Sequence, residues 1–371
     1  MAKKKSKLKV AQEEAQAAVN KANEKIEELG GLTAALYSEL TNIQEAFDAI
    51  RNVPSEKKLQ YEELKQIRLN WKQQAEKIEK DYKGAAVKNA GAGAAGAGVG
   101  VAVVTMGPTV AMGVATTFGV ASTGTAISTL SGAAATNAAL AWLGGGALAA
   151  GGGGMAAGEA FLALAGPIGW AIAGVALLTS GILMWKSLSD KKHIEDVFTL
   201  ISKRDVTSYD LAIVELNERI ARIDDESGKL HDANDEIRTF GLDYNTMSEA
   251  QQYALGSYVN LMSSSTQLLV NPILGLLPKY TEADFDDFAS QETDENKAKW
   301  YSEFKLLIVS LANFLYKIEL NERDKKLLWK SLRKNKKMLK SLGVSKKDFG
   351  IEIIDAVIEA LNYKYTLCEA I

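Results

Sequence analysis

From Leu8 to Ile50 the chain reads LKVAQEEAQAAVNKANEKIEELGGLTAALYSELTNIQEAFDAI. Leu8, Gln12, Ala15, Val19, Ala22, Ile26, Leu29, Thr33, Leu36, Leu40, Ile43, Phe47 and Ile50 follow one another in alternating steps of four and three, and eleven of the thirteen are apolar. Such steps average 3.5 residues, near the turn of an α-helix, so the stripe lies on one side and must be covered by another helix. Gly30 and Gly31 fall between seam positions. Each lowers helix propensity by about 1 kcal/mol, yet the phase continues past them. The reading is one helix from about Ser6 to Asn52. Pro54 ends it, because proline disfavours the helical conformation in the residue before it, and Ser55 then caps the next helix. Leu64, Ile67, Trp71, Ala75, Ile78 and Tyr82 share one side of that second helix. So short a connection predicts an antiparallel helical hairpin.

The same grammar returns further on. Tyr209, Ile213, Leu216, Ile220, Ile223, Leu230 and Ile237 form a second four/three seam, with Ser227 and Asn234 at its polar positions and fourteen charged residues between Asp205 and Arg238. A polar seam residue fixes register at some cost in stability. A further helix is predicted from about Asn296 to Leu320, with Trp300, Phe304, Leu307, Leu311, Leu315 and Ile318 inward. Between Pro278 and Ala298, Glu282, Asp284, Asp286, Asp287, Glu292, Asp294 and Glu295 lack the glycine and spacing of a calcium loop, and are expected to form a solvated loop. From Arg323 to Lys347, eleven Lys or Arg stand against one Asp, interleaved with Leu327, Leu328, Trp329, Leu332, Leu339 and Leu342. That pattern fits a basic helix on an anionic membrane or a bundle helix with a basic outer face, and both readings stay open. No stacking motif or groove-reading module accompanies it, so nucleic acid is not an expected partner.

The 371 residues carry a net charge of −3 and a mean hydropathy of −0.07, but these averages hide a split. The 97 residues from Asn89 to Trp185 hold one charge, Glu159, while the other 274 hold 88 of the 89. Glycine divides likewise, with 23 of 31 between Gly84 and Gly181. The sequence therefore organises as an N-terminal helical hairpin arm over 1–88, an apolar Gly/Ala-rich segment over 89–185, and a C-terminal helical bundle over 186–371. The fold class is all-α: an elongated bundle of long, coiled-coil-like helices carrying a Gly/Ala-rich apolar helical hairpin.

The apolar segment carries the functional signal. Phe161 to Trp185, FLALAGPIGWAIAGVALLTSGILMW, has no charge; 25 helical residues span about 37 Å, enough for the roughly 30 Å hydrocarbon core. Trp170 and Trp185 with the following Lys186, Lys191 and Lys192 make an aromatic and basic membrane exit. Gly96 to Gly100 and Gly154 to Gly158 have the G-x-x-x-G spacing that lets helices approach closely in lipid. Gly144 to Gly146 and Gly151 to Gly154 read as a hinge that splits the segment into at least two passes. Glu159, just beyond it, reads as a hairpin-tip, pore-lining or helix-capping carboxylate. Candidate insertion residues are thus Gly96, Gly100, Gly154, Gly158, Glu159, Trp170, Ala173 and Trp185. Lys186, Lys326, Lys330, Arg333, Lys334 and Lys337 are candidates for contact with anionic lipid.

Several classes are disfavoured. One cysteine, Cys368, excludes an intrachain disulfide scaffold. Two histidines, His193 and His231, leave little for a metal site, and neither metal nor cofactor is expected. Gly91, Gly93 and Gly96 match G-x-G-x-x-G, but a lysine-rich helix precedes them where a strand is required. No enzymatic motif stands, and no catalytic residue is proposed. Lys3, Lys4, Lys5, Lys7 and Lys9 lead into Gln12, Glu13 and Glu14 rather than into the apolar run of a signal peptide. The expectation is cytoplasmic synthesis, followed by membrane association or release by a non-classical route.

Long polar helices, a Gly/Ala-rich apolar hairpin, then more long helices: this order resembles the α-helical pore-forming toxins of the cytolysin A and haemolysin BL type. TGTAISTLSGAAATNAALAWLGGGALAAGGGGMAAG also resembles colicin-like and apolipoprotein-L-like insertion domains. The resemblance implies a soluble helical form that inserts an apolar hairpin and oligomerises, with the lipid bilayer, further copies of itself or related helical subunits as partners. The expected function is a membrane-inserting protein that forms pores or disrupts membranes. The rival expectations are a constitutive membrane-anchored coiled-coil scaffold without pore activity, and a structural helical protein that never touches lipid.

Overall fold

The computed structural model describes residues 6–92, 112–113, 115–117, 187–334, 339 and 344–369. The first helix, α1, runs Lys7–Asp48 and is capped by the Ser6 hydroxyl, which accepts from the Lys9 amide. Its boundary falls where the seam begins. Leu8, Ala15, Ala22, Ile26, Leu29, Thr33, Leu36, Leu40, Ile43, Phe47 and Ile50 are all buried, so every seam residue whose side chain is described faces inward. The second helix, α2, runs Ser55–Ala92 and starts on Ser55 itself, directly after Pro54. Between them Asn52 sits at φ 60°, a left-handed conformation that asparagine tolerates, and its amide donates to Asp243 Oδ1 at 2.9 Å.

The hairpin forms. Phe47 packs on Tyr61 with centroids 5.5 Å apart, Arg68 donates to the Leu40 carbonyl at 2.6 Å, and Tyr37 stacks on Trp71 at 5.7 Å. These contacts pair an ascending with a descending chain. The main cover for the α1 seam is nonetheless α3, Leu188–Ile237, the 50-residue helix that follows the apolar segment. Near its start, Ile194 and Phe198 share a cluster with Leu8. Farther on, His231 Nδ1 meets Glu39 Oε1 at 3.6 Å. Past both helix ends the Arg51 amide donates to the Leu242 carbonyl. α1 and α3 therefore run parallel, seam against seam.

A fourth helix, α4, Glu249–Val270, returns along α3. Tyr258 bonds Glu236, Ser265 bonds Glu226 and Arg219 bonds the Leu268 carbonyl. α1 to α4 thus make an up-down-up-down bundle around one aliphatic core. Length comes from pattern: 42 and 50 helical residues span about 63 and 75 Å at 1.5 Å each.

A second core gathers at the end where α1 and α3 begin. It is built by α5 (Glu282–Ser290), α6 (Glu295–Leu315), α7 (Glu322–Leu332) and α8 (Glu352–Glu369), together with Leu8, Ile194, Val197, Phe198 and Ile201. The acidic stretch after Pro278, expected as a solvated loop, is largely helical. Thr281 and Asp284 cap α5 reciprocally, Asp294 caps α6 through the Asn296 and Lys297 amides, and Glu282 and Asp286 hold Lys305. The carboxylates were placed by helix starts, which favour negative charge. α6 ends at Leu315 rather than near Leu320, because Lys317 adopts φ 55° and turns the chain out.

The protein is all-α, with no strand among the described residues and one isolated bridge, Arg51 to Asp243. Most of 89–185 lies outside those residues, including the expected hairpin and hinge. Among the described residues no helix is long and apolar enough to cross a membrane.

Candidate functional site

Residues 112–113 and 115–117 are the part of the apolar segment, beyond the end of α2, that the structure places, and they lie on the bundle. Ala115, Thr116 and Thr117 are buried, and Met112 packs against the aliphatic core. The seat on α1 is at Gly30, while a Cβ on its neighbour Gly31 would meet open space. A Cβ at Gly113 would collide with the Ile26 carbonyl oxygen and stand 3.0 Å from the Gly30 nitrogen, so backbone meets backbone here. One turn on, the Thr116 hydroxyl donates to the Thr33 hydroxyl at 3.3 Å.

The opposite wall is the elbow that follows α4. Its Ile273 amide donates to the Thr117 carbonyl at 2.6 Å. Pro272 supplies no N–H, so Ile273 offers the first donor past Asn271. α3 holds the elbow rigidly. Both Glu215 oxygens accept from it, one from the Leu274 amide at 2.8 Å and one from the Gly275 amide at 2.9 Å. Arg219 donates to the Leu268 and Asn271 carbonyls at 2.7 and 2.8 Å. Gly275 lies against Ala212, where a Cβ would stand 2.9 Å from the Ala212 Cα. Burial pushes the Arg219 guanidinium below its ordinary pKa, with Glu215 opposing.

The seat is polar inside. Thr33, Thr116 and Thr117 are all fully buried. The hydroxyl of Thr117 finds no hydrogen-bond partner, and a buried polar group left so costs about 1–3 kcal/mol.

A second surface is the outer face of α7. Leu327, Leu328 and Leu332 are buried in the second core, while Lys326, Lys330 and Lys334 are exposed at steps of four. Lys330 also follows the helix dipole, lying in the last turn. Arg333 is drawn back: its guanidinium lies over the Trp329 ring at 4.9 Å, and Nε donates to the Lys346 carbonyl. Arg323 pairs with Asp190, and Lys325 with Asp355. Charge faces out while the apolar side is spent on the protein's own core.

A third feature joins the two cores. Arg204 donates to the Phe314 and Tyr316 carbonyls at 2.9 and 2.6 Å, lies over the Tyr316 ring at 4.7 Å and pairs with Asp205 at 2.7 Å. Asp205 is 3% exposed in its side chain, and its Oδ2 has no hydrogen-bond partner. Burial raises its pKa to about 6 against the pull of Arg204. A shallow groove of about 300 Å³ lies between Asn42–Ile50 and Ile237–Leu242. No cluster of three His, Cys, Asp or Glu that could hold a metal is found among the described residues.

Of the residues singled out from sequence, Lys326, Lys330, Arg333 and Lys334 fall on one helix and its exit. Gly96, Gly100, Gly154, Gly158, Glu159, Trp170, Ala173, Trp185, Lys186 and Lys337 lie outside the described residues. Sequence reasoning did not single out Gly113, Thr116, Thr117, Thr33, Ile273, Glu215, Arg219 or the Arg204–Asp205 pair as functional. One signal was available: two adjacent glycines in the middle of an unbroken seam are an unfavourable choice unless another backbone must come close. The chain matches no known family, no curated protein and no solved structure.

Proposed function

We propose that the protein is a helical membrane-inserting protein, one that forms pores or disrupts membranes and oligomerises as it inserts. One observation carries the reading. A 97-residue stretch with a single charge is strung between α2 and α3, while the seams of α1 and α3 already bury each other. The long helices thus have their own core, and so long an uncharged stretch exceeds what a bundle of this kind needs. Uncharged apolar runs of 18 or more residues are the transmembrane pattern. The exposed Lys326, Lys330 and Lys334 suit a first, electrostatic approach to anionic headgroups. In this reading α7 approaches by its charged face alone, because its leucines are already covered.

The test is dye release from liposomes by purified protein, with and without anionic lipid, alongside fractionation without detergent. A water-soluble protein that permeabilises liposomes supports the reading; recovery only with membranes, without leakage, supports the anchored scaffold. Ala173→Asp places a charge at the middle of Phe161 to Trp185, which costs about 2.5 to 3.5 kcal/mol at a helix centre in lipid. The variant is expected to keep its helix content by circular dichroism and to lose stable membrane association. Leakage equal to the parent's would remove this stretch from the mechanism.

A further inference from the structure

The contacts that hold residues 112–113 and 115–117 are of an unusual kind for an apolar segment. Apolar burial is non-directional, whereas these contacts are made by groups that fix register: the bare backbone of Gly113 against Ile26 and Gly30, one hydroxyl pair between Thr116 and Thr33, and one main-chain bond from Ile273 to Thr117. A slip of one residue would bring Met112 to the place that only glycine fits. The docked state also carries a buried hydroxyl, on Thr117, that bonds to nothing. Leaving the seat would let it find a partner, so departure is partly compensated.

We infer that Gly30, Thr33 and Ile273 form a catch for this stretch of the chain's own apolar segment, which must be released before the segment meets lipid. The inference rests on the membrane reading above. The catch has two jaws on different helices. One is α1 at Gly30 and Thr33. The other is the elbow, which Glu215 and Arg219 tie to α3. Small relative shifts of α1 and α3 therefore open it, without unfolding either helix.

The test uses the full chain with Cys368→Ser and a reporter, Thr116→Cys. The reporter thiol is expected to react at least about tenfold more slowly than the same thiol in urea, as a group reached only through local opening does. Gly113→Val, which forces a side chain onto the Ile26 carbonyl, is expected to abolish that protection while circular dichroism of the long helices stays unchanged. A reporter that reacts like an exposed thiol overturns the catch, as does protection that survives Gly113→Val. A second arm joins the jaws. In Thr33→Cys/Thr116→Cys, oxidation should silence dye release from mixed phosphatidylcholine and phosphatidylglycerol vesicles, and reduction should restore it. Equal leakage from oxidised and reduced protein overturns the catch as a gate. If protection behaves as expected but neither Gly113→Val nor the reduced pair leaks, the catch stands and the membrane reading falls.

Discussion

The two cores of the molecule solve the same problem by different means. The bundle of α1 to α4 is long, aliphatic and periodic: Ile26, Leu29, Leu36, Leu40 and Ile43 from α1 meet Ile213, Leu216, Ile223 and Leu230 from α3. The core of α5 to α8 is short and aromatic, with Phe285, Phe288, Trp300, Tyr301 and Phe304 in a chain of ring contacts. A helix leaves its first four N–H groups unpaired whatever its length. In a 42-residue helix that is a small fraction; in the nine residues of α5 it is nearly half. The short helices α5 and α7 carry reciprocal caps, Thr281 with Asp284 and Asn321 with Asp324, as the longer α4 does with Ser248 and Gln251. Periodicity builds one core; large rings build the other.

If the cores are distinct, the contact that joins them should be the most sensitive position. Arg204 reaches from α3 to the carbonyls that end α6. Arg204→Ala frees those carbonyls and leaves Asp205 buried without its cation, a change that typically costs about 3–5 kcal/mol. Calorimetry is expected to show a lower melting temperature and a single transition splitting into two. One transition at the parental temperature would mean that the cores are coupled elsewhere.

Within the bundle, Leu40 is fully buried, and truncating such a leucine typically costs about 2–5 kcal/mol. Leu40→Ala should lower thermal stability far more than Glu27→Ala, whose side chain is exposed on the same helix. Glu39 would be the wrong control, because it meets His231 and one of its oxygens is buried without a hydrogen-bond partner. Equal losses from Leu40→Ala and Glu27→Ala would refute a seam shared by α1 and α3.

This contrast also explains what could be read in advance. The α1 seam was legible because one stripe, repeated over six heptads, overrides every local irregularity including two glycines. Its partner was not: a seam specifies a complementary stripe but not which one, and 139 residues separate the end of α1 from the start of α3. The carboxylates of α5 were misread because local charge density does not distinguish a loop from the capped start of a short helix, whereas the Thr281 to Asp284 spacing does. The basic face of α7 was legible as charge but not as orientation. Which side is covered depends on Ile353, Ile354 and Val357 of α8, which share its core. The seat of residues 112–113 and 115–117 depends on Thr33 and Ile273, 240 positions apart in the sequence, converging on it, and no short-range pattern encodes that.

The joint also predicts a pH dependence of definite sign. Burial lifts Asp205 from 3.8 to about 6 in the folded protein, so the folded state holds its proton more readily than the unfolded chain. Below about pH 4 the group is protonated in both states and has no effect. Between about pH 4 and 6 the unfolded chain ionises while the folded carboxyl keeps its proton, so stability falls across that window by on the order of 3 kcal/mol; above it both states are ionised and the difference stays constant. Asp205→Asn removes that titration. Urea unfolding from pH 3.5 to 7.5 should show the parent losing ground to Asp205→Asn between about pH 4 and 6 and holding a constant difference above that. A difference constant over the whole range would place the Asp205 carboxyl at its ordinary pKa and weaken the view of this joint as a dry contact.

The smallest effect is expected on the outer face of α7, where the second core meets solvent. Lys326 is exposed, so Lys326→Glu should leave the melting temperature nearly unchanged, whereas Leu328→Ala, at a fully buried neighbour, should not. What Lys326→Glu alters is the field beyond the surface. A basic residue near an anionic bilayer contributes about 1 kcal/mol to binding, and the attraction decays within a Debye length of roughly 8 Å at physiological salt. Co-sedimentation with phosphatidylglycerol vesicles should therefore weaken in Lys326→Glu, binding to neutral vesicles should not change, and raising the salt should bring the parent down to the variant. Were the variant to lose neutral and anionic vesicles alike, the α7 face would be contributing packing rather than charge, and the division between a buried apolar side and an exposed basic side would not describe how this core meets a membrane.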